Sequence, residues 1–259
     1  LVSKSKSTIF HFSSLAFKLA LFDTRGLYRR SVIGPFWITF SMAITATCLG
    51  FVFGTIFNAP METLLPSITA GLIFWAFISN CMNEGCLCFV QSGALIKQLP
   101  IPFYVHVMRL CWRQLFILGH NFLVLPFILL FFGKSLSLLS FILIPSLLLI
   151  TLCLAGIALF FAIICARYRD FTQIVSSLIQ ISFYLTPIIW LPSMVPDRAG
   201  INLLEFNPFF HFLELLRGPL LGSVPSMMSW IIVISITFVS WVIAIIFFFR
   251  FKDRLVYWL

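Results

Sequence analysis

Residues 137–165 read SLLSFILIPSLLLITLCLAGIALFFAIIC, a run without a single charged side chain. About 20 predominantly apolar residues carry a helix across the hydrocarbon core of a bilayer, so this run is long enough to cross. Lipid offers no partner to a backbone N–H or C=O, which leaves helices and closed barrels as spanning structures. A barrel strand alternates apolar and polar residues over about ten positions. Residues 137–165 do not alternate, so the fold they predict is all-α and integral to a membrane.

On either side of this run lie comparable ones at about 33–57, 66–90, 104–132, 171–191 and 228–249, which brings the expected crossings to six. Composition agrees. The 259 residues are 61% hydrophobic and 10% charged, against roughly 45–50% and about 25% in soluble domains. The first long run begins near Val32, too late and too long for a secretory leader.

Charge orients the spans. The net charge is +9, but the basic residues sit at the ends of apolar runs. That placement points to topology and anionic headgroups and argues against a nucleic-acid partner. With the N-terminus inside, fourteen of the seventeen Lys and Arg fall on the cytoplasmic side, and only Lys134, Arg198 and Arg217 fall outside. This is the bias that the positive-inside rule describes. Arg109 and Arg113 then sit low on the third crossing, near the headgroups. Parity decides the fate of 202–221, an apolar stretch broken by Pro208, Gly218 and Pro219. If it crossed, Arg250, Lys252 and Arg254 would end outside. It is therefore expected to fold back as a re-entrant hairpin between the fifth and sixth crossings, a structure tolerated where protein surrounds it.

Ahead of the first crossing, Phe12, Leu15, Ala16, Leu19 and Phe22 share one helical face, with Ser14, Lys18 and Arg25 elsewhere. This predicts an amphipathic helix in the cytoplasmic interface. The expected organisation is one membrane domain over 1–259. It comprises a cytoplasmic or interface helix at 1–31, a six-helix membrane region at 33–249 and a cytoplasmic tail at 250–259.

Candidates for chemistry are few. Glu84, His106, His120, Asn80, Asn83 and Asn121 lie within or beside apolar runs, where ionisable groups raise functional hypotheses. Glu84 has no obvious carboxylate partner, and a packing hydrogen bond is the plainer role. The seven cysteines form no paired CxxC or Cys/His pattern, so no metal site is expected. No phosphate-binding glycine loop is present. The chain is therefore not expected to be catalytic, and any ATP-driven step belongs to a partner. A chain of buried acids and bases is also lacking, which weighs against an ion-coupled secondary transporter. A membrane-embedded transferase acting on a polyprenyl lipid is a further reading, and it would place chemistry at Glu84 or His106.

Three stretches carry a resemblance. Residues 23–37 read DTRGLYRRSVIGPFW, 167–187 read RYRDFTQIVSSLIQISFYLTP, and 207–217 read NPFFHFLELLR. The first resembles a basic entry into the first span, with Ser31, Gly34, Pro35 and Trp37 matching. The second resembles an Arg-Asp turn and a helix ending Gln–aromatic–Thr–Pro, with Arg169, Asp170, Gln180, Phe183, Thr186 and Pro187 matching. The third is similar to an Asn-Pro…Arg segment. In this order they resemble the membrane subunit of ABC-2 type exporters, in particular the polysaccharide and O-antigen export permeases.

The resemblance implies a second copy of the chain and two ATP-binding cassette subunits, which hold ATP and Mg; this chain itself carries no cofactor. It implies a glycan on a polyprenyl diphosphate as cargo, O-antigen first, with capsule or teichoic acid as alternatives. It also implies the inner membrane of a bacterium, with both termini cytoplasmic. The coupling element to the ATP-binding subunit maps to Lys97, Gln98, Leu99, Pro100 and Pro102, where two prolines make a stiff elbow. Contacts to the lipid diphosphate fall to Arg25, Arg29 and Arg30, which serve equally well as anchors to membrane phosphates. The channel set is Phe36, Trp37, Phe40, Tyr184, Phe209 and Phe210, for each of which lipid-facing bulk is the competing role.

Overall fold

The computed structural model describes residues 2–27, 29, 34, 36–99, 101–133, 138–191 and 204–259, with the side chains of 2–11 and 27 excepted. Among these every regular element is helical. We number the α-helices α1 (Val2–Leu27), α2 (Phe36–Phe57), α3 (Met61–Gln91), α4 (Gly93–Gln98), α5 (Phe103–Phe122), α6 (Val124–Phe131), α7 (Leu143–Arg167), α8 (Phe171–Leu185), α9 (Pro208–Arg217) and α10 (Met227–Trp258). Short 3₁₀ turns at Leu138–Ile142 and Gly218–Leu221 precede α7 and follow α9.

Among the described residues, five helical stretches are long and apolar enough to cross a membrane: Phe36–Phe57, Met61–Gln98, Phe103–Phe131, Leu138–Arg167 and Met227–Trp258. They coincide with five of the six expected crossings. The remaining one, the fifth in chain order, expected at 171–191, is helical only as α8, which has 15 residues. At 1.5 Å per residue that is about 22 Å, short of the ~30 Å hydrocarbon thickness. Pro187 is the reason. The residue before a proline is driven out of the α region, and Thr186 is extended at φ −102°, ψ 139°.

Prolines also explain two breaks inside expected spans. Pro126 has no N–H for the Phe122 carbonyl and crowds it, and the third span divides there into α5 and α6. Pro145 does the same to Phe141, and the fourth span starts as a 3₁₀ turn before becoming α7. At the other end of the chain, the segment expected as a tail at 250–259 continues α10 to Trp258. Leu255 there is fully buried, and Trp258 packs on Phe251 with ring centroids 5.4 Å apart.

Helix α3 is the centre, touching α2, α5, α7, α8 and α9, while α7 joins it to α10. In lipid, helices associate by close packing of small residues rather than by hydrophobicity. A Cβ at Gly85 would lie 2.9 Å from Ala158 Cβ, which seats α3 on α7. A Cβ at Gly156 would lie 2.8 Å from Ser240 Oγ, which seats α7 on α10. The Trp241 indole donates to Leu152 O at 2.9 Å across the same contact.

Candidate functional site

The open face of the molecule begins on α2. Its buried residues are Ala46, Gly50 and Gly54, one helical turn apart. Cβ atoms added at the two glycines would clash with the Leu65 side chain and come within 2.7 Å of Met61 Sδ. This narrow strip holds α2 on α3, and Thr39 Oγ1 donates to His120 O at 2.9 Å to tie it to α5. The remainder of the helix projects outward. Phe36, Trp37 and Phe40 are each more than half exposed, and the Trp37 and Phe40 rings lie 6.1 Å apart.

Two apolar grooves flank this edge. Phe36 and Phe40 line one of about 620 Å³ with Phe127 and Phe131 of α6. Trp37 lines the other, about 450 Å³, with Trp75, Ser79 and Asn80 of α3. Trp75 also joins this groove to α8 and α9, since Phe183 and Phe209 pack on it at 5.8 and 5.4 Å. Tyr184, on the outer face of α8, is 66% exposed. Phe209 and Phe210 are half-buried, Phe210 against the His211 ring at 5.3 Å. Of the expected channel residues, Phe36, Trp37, Phe40 and Tyr184 therefore stand on open surfaces. Phe209 and Phe210 stand within packed ones.

Helix α9 is bound at both ends by polar residues of the 207–217 stretch. Asn207 caps it, accepting from Phe209 N at 2.9 Å, with Pro208 in the first helical position that suits it. The same side chain donates to Thr186 Oγ1 at 2.9 Å and to Leu185 O at 3.3 Å. Arg217 is buried and donates to Pro187 O at 2.7 Å. Glu214 accepts from Ser226 N at 2.8 Å and from the Ser229 hydroxyl. His211 Nδ1 lies 2.7 Å from Ser229 Oγ, and its Nε2 2.8 Å from Glu205 O. A Cβ at Gly71 would come within 2.8 Å of Ile188 O, so α3 presses on the same loop. Helix α9, the end of α8 and the start of α10 are joined as one body. The part of the expected hairpin at 202–203 lies outside the described residues.

At the opposite end, α1 packs along α5. Its contact face is Ala16, Ala20 and Thr24, while Phe22 projects outward at 78% exposure. Phe17 meets Trp112 and Phe116 edge-on at 5.1 and 5.4 Å. Asp23 receives Arg109 in a two-pronged pair, both bonds at 2.5 Å, the geometry that planar guanidinium and carboxylate groups favour. Arg113 Nη1 lies 3.7 Å from the same carboxylate, and its other arm pairs with Glu84. Gln114 donates to Glu84 at 2.5 Å. Glu84 is thus a partner of α5, which is the packing role. Arg109 and Arg113, expected low on the third crossing near the headgroups, are held by carboxylates.

Arg25 and Arg29 are exposed, on and just beyond the last turn of α1; Arg30 lies outside the described residues. Lys97, Gln98 and Leu99 are exposed at the end of α4. Pro102 is half-buried and precedes α5 as its N-cap residue, and Pro100 lies outside the described residues. The far side of α4 is anchored, for Ile96 packs into the cluster that contains Phe89 and Leu255.

Sequence reasoning missed the pairing of Asp23 and Glu84 with Arg109 and Arg113. A signal was present. Two acids and two bases all lie close to apolar runs, where each unpaired charge is costly.

Comparison with known proteins places these features. The sequence profile described as "ABC-2 type transporter" matches residues 19–221. Two proteins named "O-antigen export system permease protein RfbA", both from Klebsiella pneumoniae, are similar to the chain at 22% and 24% identity over 191 residues. Each match covers 72% of this chain and 72% of the relative.

Proposed function

We propose that this chain, which belongs to the ABC-2 type transporter family, is the permease of an exporter that moves a polyprenyl-diphosphate-linked polysaccharide across the bacterial inner membrane. O-antigen is the cargo that the names of its relatives favour. Membership makes it a multi-pass membrane transport subunit, and it implies an ATP-binding partner.

The observation that carries the finer reading is the open aromatic edge of α2 beside a well-packed α3–α7–α10 core. A second copy facing this edge and the outer face of α8 would enclose a path lined by Phe36, Trp37, Phe40 and Tyr184. Aromatic faces suit the apolar faces of sugar rings without demanding one sequence of sugars. In this arrangement residues 186–191 complete the fifth crossing that α8 begins, α9 folds back as a re-entrant gate, and both termini stay cytoplasmic. Helix α1 lies at the interface, and Arg25, Arg29 and Arg30 meet the diphosphate. The exposed end of α4, at Lys97–Leu99 before the Pro100–Pro102 elbow, receives the push of the ATP-binding subunits, which hold ATP and Mg. Rigid-body motion about such contacts is a common way to open a path between subunits.

Co-expression with candidate ATP-binding subunits tests the reading. Co-purification with ATPase activity in vesicles is expected, and so is intracellular accumulation of the lipid-linked glycan when the chain is deleted. Loss of the glycan altogether would instead favour a synthetic role, and absence of any ATP-binding partner would sink the exporter.

A further inference from the structure

Between the last turn of α3 and the first half of α5 lies a small cavity of about 60 Å³. Exposed Gln91 and half-buried Ser92 form its rim, and His106, Arg109 and Arg113 line it. His106 is 1% exposed, and neither of its ring nitrogens has a hydrogen-bond partner among the described residues. Arg113 Nε is likewise buried and unpaired. More than about 90% of buried polar groups are hydrogen-bonded, so three orphaned nitrogens at one cavity point to something that fills it.

The wall selects the ligand. Asp23 and Glu84 pair with the two guanidinium groups, yet neither carboxylate lines the cavity. Their pairing holds the guanidinium planes fixed and leaves Arg113 Nε without a partner among the described residues. Guanidinium carries only donors, and amide, hydroxyl and imidazole each add one or more. The space is therefore rich in donors and holds no carboxylate. Its volume equals the share of about two waters in the liquid, at about 30 Å³ each. That is room for one small oxyanion group.

We propose that this cavity seats a phosphate group presented at the cytoplasmic face of the membrane. His106 and Arg113 Nε donate to its oxygens from the floor, and Gln91 and Ser92 donate from the rim. The cytoplasmic placement rests on the topology given above, whereas the binding itself does not depend on export. The site is separate from Arg25 and Arg29, and among its lining residues is Ser92, the N-cap residue of α4.

The test is equilibrium binding to the purified full chain in detergent, with three probes: inorganic phosphate, phosphatidylglycerol and a polyprenyl diphosphate. The variants are His106→Phe, which keeps a ring and removes the nitrogens, and the rim double variant Gln91→Leu with Ser92→Ala. The rim variant leaves the buried network intact, and an unchanged melting temperature confirms its fold. At least one probe is expected to bind the native chain and to bind both variants tenfold or more weakly. Phosphatidylglycerol alone would make the site a headgroup anchor, and polyprenyl diphosphate alone a cargo seat. Inorganic phosphate competing with either confirms the shared chemistry, and inorganic phosphate alone assigns the site to the free ion. Equal binding to native and variant chains, or no binding of any probe, overturns the proposal. Failure of the exporter reading would leave the phosphatidylglycerol and inorganic phosphate results standing.

Discussion

Helix α3 has 83% of its most apolar stretch buried inside the chain, whereas the corresponding stretch of α2 has 11% buried. Both are long enough to cross a bilayer, and they lie side by side. In water such a difference would follow hydrophobicity. In lipid the tails are as apolar as leucine, so burial follows the fit of surfaces and the pairing of polar groups. Helix α3 has that fit on several sides. Gly71 admits the 188 carbonyl, Gly85 admits Ala158, and Glu84 takes Arg113 and Gln114. Helix α2 has it along one strip, Ala46–Gly50–Gly54, and presents aromatic rings elsewhere. One helix holds the subunit together, and the other is left for what lies outside it.

The sharpest way to break this contrast is Gly85→Val. The new side chain meets Ala158 backbone and Cβ within 3.0 Å, so α3 and α7 must separate, at a cost of about 1–3 kcal/mol or more. An SDS unfolding titration should show that loss, and a native-like midpoint would refute the central role of α3. Next is Asn207→Ala, which removes the cap of α9 and its tie to Thr186. The cost expected is about 1–2 kcal/mol, with faster proteolysis near 204–207 as a local readout.

Gly119→Ala probes the outer face of α5, where an added Cβ meets nothing within 4 Å. A gain of about 0.5–1 kcal/mol is expected from helix propensity, and a loss would mean that another chain covers that face. The smallest effect on stability falls to Trp37→Ala on α2, within about 0.5 kcal/mol as for an exposed position. Export should nevertheless drop severalfold when assayed as surface glycan. A large loss of stability with export unchanged would reverse the roles assigned to α2 and α3.

The apolar runs were legible because length and continuity are properties of the chain itself. Five of them became helices of spanning length. The Asn-Pro…Arg stretch was legible as a motif, but its purpose was not. Asn207 and Arg217 act on carbonyls and hydroxyls at 185–187, some twenty to thirty residues away. Local prolines were available to foretell the breaks at 122–124 and 142–143, yet a continuous apolar run conceals them. The ion pairs among Asp23, Glu84, Arg109 and Arg113 join three helices, and no spacing rule links residues 23, 84 and 113. His106 was visible as a lone histidine in an apolar run, and Arg109 and Arg113 share its helical face by spacing alone, whereas only the fold brings Gln91 and Ser92 to its side.

Composition and run length determined by themselves that this is an all-helical membrane protein, because lipid accepts hardly any other arrangement of an unpaired backbone. Short motifs indicated the family, because turns and caps need particular residues at particular places. Tertiary structure alone decided which helix became the core and which the open edge, and where the charges found partners. Those outcomes depend on the match between surfaces distant in sequence, and in a bilayer hydrophobicity does not rank one such match above another.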